Sequence, residues 1–264
     1  MDAASADPPP LRFGEIIIVG GGCYGTFYAT QLEKAAARGR AVFDTVTIVD
    51  RNADCQARRE LGEHRRRRFA VAEWTAFFDE RLAGAAGDAA APDAIVPSPL
   101  MPHLMFEWLA GRAARRWPRR AVAAVPADEP LGTPYDVLAP DGTRYVSYAD
   151  WICPVHCIEP LTCPMIRAPR SWEMRDALGR LADRMARTRA VAGPVVFHCR
   201  HRVHGVGMFD VAEVQAGDAL VADAGAAGDE VDVIVGTVSS CHGAVSVLRL
   251  SRYISGTHPH QDRG

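Results

Sequence analysis

Seven cysteines and nine histidines carry most of the reactive chemistry of this 264-residue chain, and they are unevenly placed. Cys153, Cys157 and Cys163 fall in one short stretch, at Cys-x3-Cys-x5-Cys spacing, with His156 among them and proline after Cys153 and Cys163. Further on come His198-Cys199-Arg-His201-Arg-Val-His204 and then Cys241-His242. Thiolates and imidazoles in such groups suit soft metals. Structural zinc prefers tighter cysteine pairs arranged two plus two. Three neighbouring cysteines with Cys-Pro and a remote fourth are closer to iron–sulfur ligation. Cys199 or Cys241 is the candidate fourth ligand. Three readings stay open: an iron–sulfur cluster, zinc with mixed Cys/His ligands, or no metal, with buried thiols or one reactive thiolate. His201 and His204 lie in a turn closed by Gly205 and Gly207, so with Cys199 they are the candidate ligands or general acid–base groups, against a plain surface role. Glu159 is a carboxylate ligand, a proton carrier or a solvated loop residue. His198, alternating with Cys199 on a strand, is expected in the core. His103, just before a helix, resembles a phosphate or substrate contact. Cys55 has no partner pattern.

A second constellation lies near the start. Glu15–Val19 is a β-branched run of the kind buried on both faces of a sheet. Gly20, Gly22 and Gly25 follow at G-x-G-x-x-G spacing, with Gly21, Cys23 and Tyr24 between them, and a helical pattern begins at once. Missing Cβ atoms there permit a tight turn, a close backbone approach to pyrophosphate and close helix–strand packing. The helix would aim its first N–H groups at the phosphates. A second apolar strand, Val46–Val49, ends on Asp50, where a carboxylate would accept from ribose hydroxyls. Cys23 reads as a small filler, although the helix N-terminus favours its thiolate.

Strand, glycine loop, helix, strand and acid over Glu15–Asp50 resemble the Rossmann-fold NAD(P)/FAD-binding superfamily. The resemblance implies NAD(P) or FAD held by Gly20, Gly21, Gly22, Cys23, Tyr24, Gly25, Asp50 and Arg51. Gly20–Ala29 also fits the longer glycine pattern of FAD domains, but the second domain and late Gly-Asp motif of such flavoproteins are not found, so NAD(P) leads. Arg51, or the arginine run at Arg65–Arg68, would either receive the 2′-phosphate of NADP or lie in a solvated loop.

Composition narrows the classes. A formal charge of −2 and a pI near 6.5 give no footprint for nucleic acid or an anionic membrane. No run of about 18 apolar residues is present, and Met1–Pro10 is acidic and proline-rich, so a cytoplasmic protein with reduced thiols is expected. Lys34 is the only lysine. Sitting late in the first helix, it excludes P-loop and Schiff-base chemistry.

Alternating strands and helices then predict an α/β fold: a doubly wound, mostly parallel Rossmann-like sheet with a β-hairpin insertion at about 121–148. Residues 13–254 would form one domain, after a disordered 1–12 and before a flexible 255–264 that holds His258 and His260. Most of the cysteines and histidines above follow predicted strands. Parallel strands would therefore gather them at one rim with the glycine loop. The expected function is an NAD(P)-linked oxidoreductase with a Cys/His centre at that rim, acting on a small molecule or a redox partner protein, as a monomer or an oligomer. The alternative is a non-catalytic protein that senses a nucleotide or handles a metal.

Overall fold

In the computed structural model of the chain, residues 9–82, 92–154, 157–203 and 205–253 are described. His156, His204, His258 and His260, a glycine/alanine link at Ala83–Ala91, most of the expected N-terminal tail and the C-terminal tail lie outside them. The expected unit opens the fold: β1 (Leu11–Val19), α1 (Cys23–Ala37) and β2 (Ala41–Asp50), with β1 and β2 parallel and in register from Leu11↔Ala41 to Val19↔Val49. Side-chain alternation splits the apolar run of β1 between two cores. Ile16 and Ile18 pack with Leu32 of α1, while Ile17 and Val19 face the centre of the molecule. All four are buried, so each contributes roughly 1.5–3 kcal/mol of transfer free energy.

The arginine-rich stretch then forms α2 (Gln56–Leu61) and β3 (Arg67–Val71), which adds to β2 in parallel. After α3 (Trp74–Arg81), β4 (Ala94–Val96) joins the other side of β1, also parallel. The parallel part therefore runs β3-β2-β1-β4, and there it stops.

The doubly wound, mostly parallel sheet expected above is not what forms. α4 (Leu104–Arg116) carries the chain into a second sheet, built from β5 (Val122–Val125), β6 (Tyr135–Leu138) and β7 (Arg144–Ser147). Two short strands, β8 (Thr162–Cys163) and β9 (Ala168–Pro169), form a separate ladder before α5 (Met174–Met185) and β10 (Val191–His198). β11 (Arg200–Val203) and β12 (Val206–Asp210) return to the first sheet, where β12 pairs antiparallel with β4. α6 (Val211–Ala226) leads to β13 (Val231–Val238) and β14 (His242–Leu250) in the second sheet. Its order is β10-β13-β14-β7-β6, and only β10 and β13 are parallel.

The reason is local. Only Ser239, Ser240 and Cys241 separate β13 from β14, and so short a link joins antiparallel neighbours, since a parallel crossover needs a dozen or more residues. The segment read as an edge strand, Val245–Leu250, is the hub of this sheet. β14 pairs with β13 along one side and, along the other, with β7 in its first half and β5 in its second. The hairpin at 121–148 is thus built into the second sheet.

One apolar core lies between the sheets, around α4 and α6, joining Ile17 and Ile95 to Phe197, Val235 and Leu248. A further core packs α1 on the outer face of the first sheet, and another packs α5 on the outer face of the second. Among the described residues, no helix is long and apolar enough to cross a membrane.

A single arginine closes the lower end. Arg120 is buried, and its guanidinium donates to the carbonyls of Gly225 at 2.5 Å, Leu250 at 3.2 Å, Ser251 and Asp229, between the rings of Trp117 and Tyr253. It satisfies acceptors at the end of α6 and of β14 together. Arg120→Met should orphan them and lower the free energy of unfolding by about 3 kcal/mol, read as a lower urea midpoint at unchanged slope.

Candidate functional site

The glycine loop is held by backbone and by one carboxylate. Gly20 donates to the Val49 carbonyl at 2.8 Å, and Gly21 donates to Oδ2 of Asp50 at 2.7 Å. Oδ1 of Asp50 accepts from the Asn52 N–H at 2.8 Å. Asp50 therefore ties the loop to the end of β2, with lone pairs left on both oxygens.

The glycines differ in what they permit. A Cβ on Gly25 would fall 1.9 Å from the Gly20 carbonyl oxygen, and one on Gly21 would fall 2.4 Å from Sγ of Cys55. Buried Cys55 is thus a wall of the loop, a role its lack of sequence partners concealed. A Cβ on Gly22 would meet nothing within 4 Å. Gly22 also caps α1, with no side chain capping the helix, so its first N–H groups face open space.

That space is a cleft of about 460 Å³ at the carboxyl ends of β1, β2, β3 and β4, bordered by Cys23, Asp50, Arg51, Trp74 and Ser98. Cys23 and Tyr24 are exposed there. Arg51 is solvent-facing and pairs with Glu73 at 3.8 Å.

Ser98 also borders a second, largely apolar cavity of about 440 Å³, whose wall includes Tyr28, Cys199, Thr237, Ser239 and His242. Tyr24 and Tyr28 stack one turn apart on α1, with centroids 6.4 Å apart, so this helix shows one ring to each space. Nothing in its sequence spacing singled out Tyr28, and the Pro97-Ser98-Pro99 run after β4 was the unused signal for Ser98.

His242 in turn borders a third, small cavity lined by Cys153, Cys157, Cys163, Cys241 and Glu159. Cys199 is not among its walls. Four thiols thus line one cavity, formed by the loop after β7 and the β13–β14 turn, and not the rim shared with the glycine loop and Cys199 that was expected. Among the described residues, no three His, Cys, Asp or Glu side chains are close enough as they stand to hold a metal ion.

Electrostatics separate the groups. Burial, aided by Glu159 and Glu213, pushes the Cys199 thiol up to about 12, so it is a neutral thiol at physiological pH. The groups crowded round its ring hold His242 below the usual imidazole range although the residue is solvent-exposed, with Glu159 opposing and His201 reinforcing, so it is a neutral imidazole beside Ser239. His201 is anchored through Nδ1 to the Cys157 carbonyl at 2.6 Å. Glu159 Oε2 accepts from the Ser240 N–H at 2.9 Å, which ties the cysteine loop to the β13–β14 turn. His198 lies partly buried, its N–H on Glu213 at 3.1 Å, and burial and Arg200 lower its pKa.

Residues 105–251 match the family AF_1314_C, described as "Uncharacterized protein, C-terminal domain". The chain belongs to that family, and the matched region runs from α4 to the end of β14. No curated protein matches the chain. Among solved structures, the ishigamide ketosynthase/chain length factor aligns at 15% identity, over 94% of this chain and 75% of that one, with a TM-score of 0.25. A likeness at that level supports no argument.

His103 is not a phosphate contact. It is buried, stacked 5.1 Å from Phe106, with Nδ1 on the Thr237 hydroxyl at 2.9 Å and Nε2 unpartnered. Burial lowers its pKa to about 3. The unfolded chain takes this proton near pH 6.5, so between the two values it holds more protons than the fold, and stability falls as pH falls. The slope from this group should approach about 1.4 kcal/mol per pH unit. Urea unfolding at successive pH values should show it, and His103→Phe, which keeps the stack, should remove it.

Proposed function

We propose that the chain is a dinucleotide-binding redox protein, an NAD(P)-linked oxidoreductase that handles a small, largely apolar molecule in the cavity beside the nucleotide. The observation that carries this reading is the open cradle at Gly22. A side chain there would project into the cleft, where the free N–H groups of α1 and its dipole favour a pyrophosphate. The reading rests on β1, α1 and β2 alone, and needs no second set of parallel strands.

Asp50 would accept ribose hydroxyls with the lone pairs that the loop leaves free, and Arg51 stands next to it for a 2′-phosphate. A nicotinamide bound there supplies two-electron redox chemistry. The chain's own residues then have separable tasks. The proline- and tyrosine-lined wall of the second cavity keeps water from the substrate. His242, neutral and beside Ser239, takes the proton of a substrate hydroxyl or returns one to a carbonyl. Cys199 contributes a neutral wall.

Trp74 borders the cleft and gives a direct reporter. Titration with NADH, NADPH and FAD should quench its fluorescence saturably for at least one of them. Gly22→Ala should raise that Kd at least about tenfold, about 1.4 kcal/mol, at an unchanged thermal midpoint. Absence of saturable binding by all three dinucleotides would sink the reading.

A further inference from the structure

The segment between β7 and α5 has little regular structure of its own. Among its described residues it pairs only across Thr162–Pro169 and Cys163–Ala168. Ile152, Ile158 and Leu161 point outward, at 93%, 58% and 80% exposure. Trp172 stacks on Tyr148 and lies against Trp151, and three sulfurs face the cavity beside them. Cys153, Cys157 and Cys163, with Cys241 from the β13–β14 turn, rim one cavity of about 30 Å³. That is about the volume of one water molecule or ion.

Hydrogen-bond donors surround these sulfurs. The Trp172 indole N–H lies 3.4 Å from Sγ of Cys241, and the Glu159 backbone N–H lies 3.3 Å from Sγ of Cys157. The Trp151 indole N–H is buried with no acceptor at hydrogen-bond geometry. It sits close enough to favour the Cys153 thiolate, against the stronger opposing effect of burial. Arg170 lines the same cavity, held by the Glu159 carbonyl at 2.8 Å and by the Glu173 carboxylate. A neutral thiol is a weak acceptor. N–H donors on two of the sulfurs, a buried indole N–H left without an acceptor and a guanidinium beside them are the environment that orients and tunes metal-bound thiolates.

We propose that Cys153, Cys157, Cys163 and Cys241 form a four-sulfur site for a thiophilic metal centre, which staples the cysteine segment to the β13–β14 turn. Binding a divalent ion breaks four S–H bonds, forms four metal–sulfur bonds and releases four protons, with no oxidation. Coordination requires the four sulfurs, which rim the cavity without yet meeting at one point, to draw together. Cys199, in the wall of the apolar cavity, is not a ligand. The site is independent of the nucleotide.

The test uses the full chain, purified anaerobically and assayed for zinc, iron and acid-labile sulfide. The stripped protein is then titrated with cobalt(II), and its thiolate-to-cobalt charge-transfer band is followed. About one centre per chain is expected. Zinc without sulfide identifies a single ion, and iron with sulfide identifies a cluster; both support the site. Cys153→Ser, Cys163→Ser and Cys241→Ser should each weaken cobalt binding at least about tenfold, and Trp172→Phe should weaken it about tenfold and shift the band. Cys199→Ser and Cys23→Ser should leave it unchanged. A folded wild-type protein that gives no thiolate band, or a band that survives Cys241→Ser or is lost in Cys199→Ser, overturns the proposal. Dinucleotide binding by the same variants, with circular dichroism, separates ligand loss from failure to fold.

Discussion

β14 is bonded along both edges, and much of the molecule's geometry follows from that. Its buried backbone groups all need partners. β13 supplies them on one side, and β7 and β5 divide the other. A strand fixed in this way has no freedom of register, because a slip of one residue would turn its apolar set away from both cores. Its first residue, His242, and the preceding Cys241 are therefore placed by that register, although His242 is exposed. Two of the three spaces of the candidate site meet at His242.

The glycine loop shows the same economy. Gly25 is required by the fold, since the helix passes so close to the Gly20 carbonyl that no side chain fits. Gly22 is not required by any neighbour within the chain. A position that needs glycine for no internal reason, at the head of a helix whose first N–H groups are uncapped, is the best argument for an external occupant. Asp50 complicates the simple motif, because both its oxygens already serve the backbone of the loop and the following turn.

The β1–α1–β2 unit was legible because every cue for it is local: a run of β-branched residues, three glycines at fixed offsets and a helix that stops at Gly39. The rest depended on strand direction, which apolar runs do not encode. Val231–Val238 and Val245–Leu250 look alike whether parallel or antiparallel, since both are covered on two faces. The three-residue link between β13 and β14 was the overlooked cue. The gathering of Cys153, Cys157, Cys163 and Cys241 was expected from a common rim of parallel strands, yet it comes from a loop folding onto a turn. Cys199 was expected with them and faces another cavity, because it follows β10 rather than a strand bordering that loop. Tyr28 and Trp172 were legible only as apolar positions of helices, although Trp172 precedes α5, and Trp151 carried no spacing signal.

Ser98 belongs to the wall of two spaces at once. A molecule that shifts it from one side reshapes the surface offered to a molecule on the other. Such linkage is reciprocal: whatever the first occupant does to the affinity of the second, the second returns to the first by the same factor. A single hydroxyl between two prolines is thus where two occupants, were both bound, would feel each other equally.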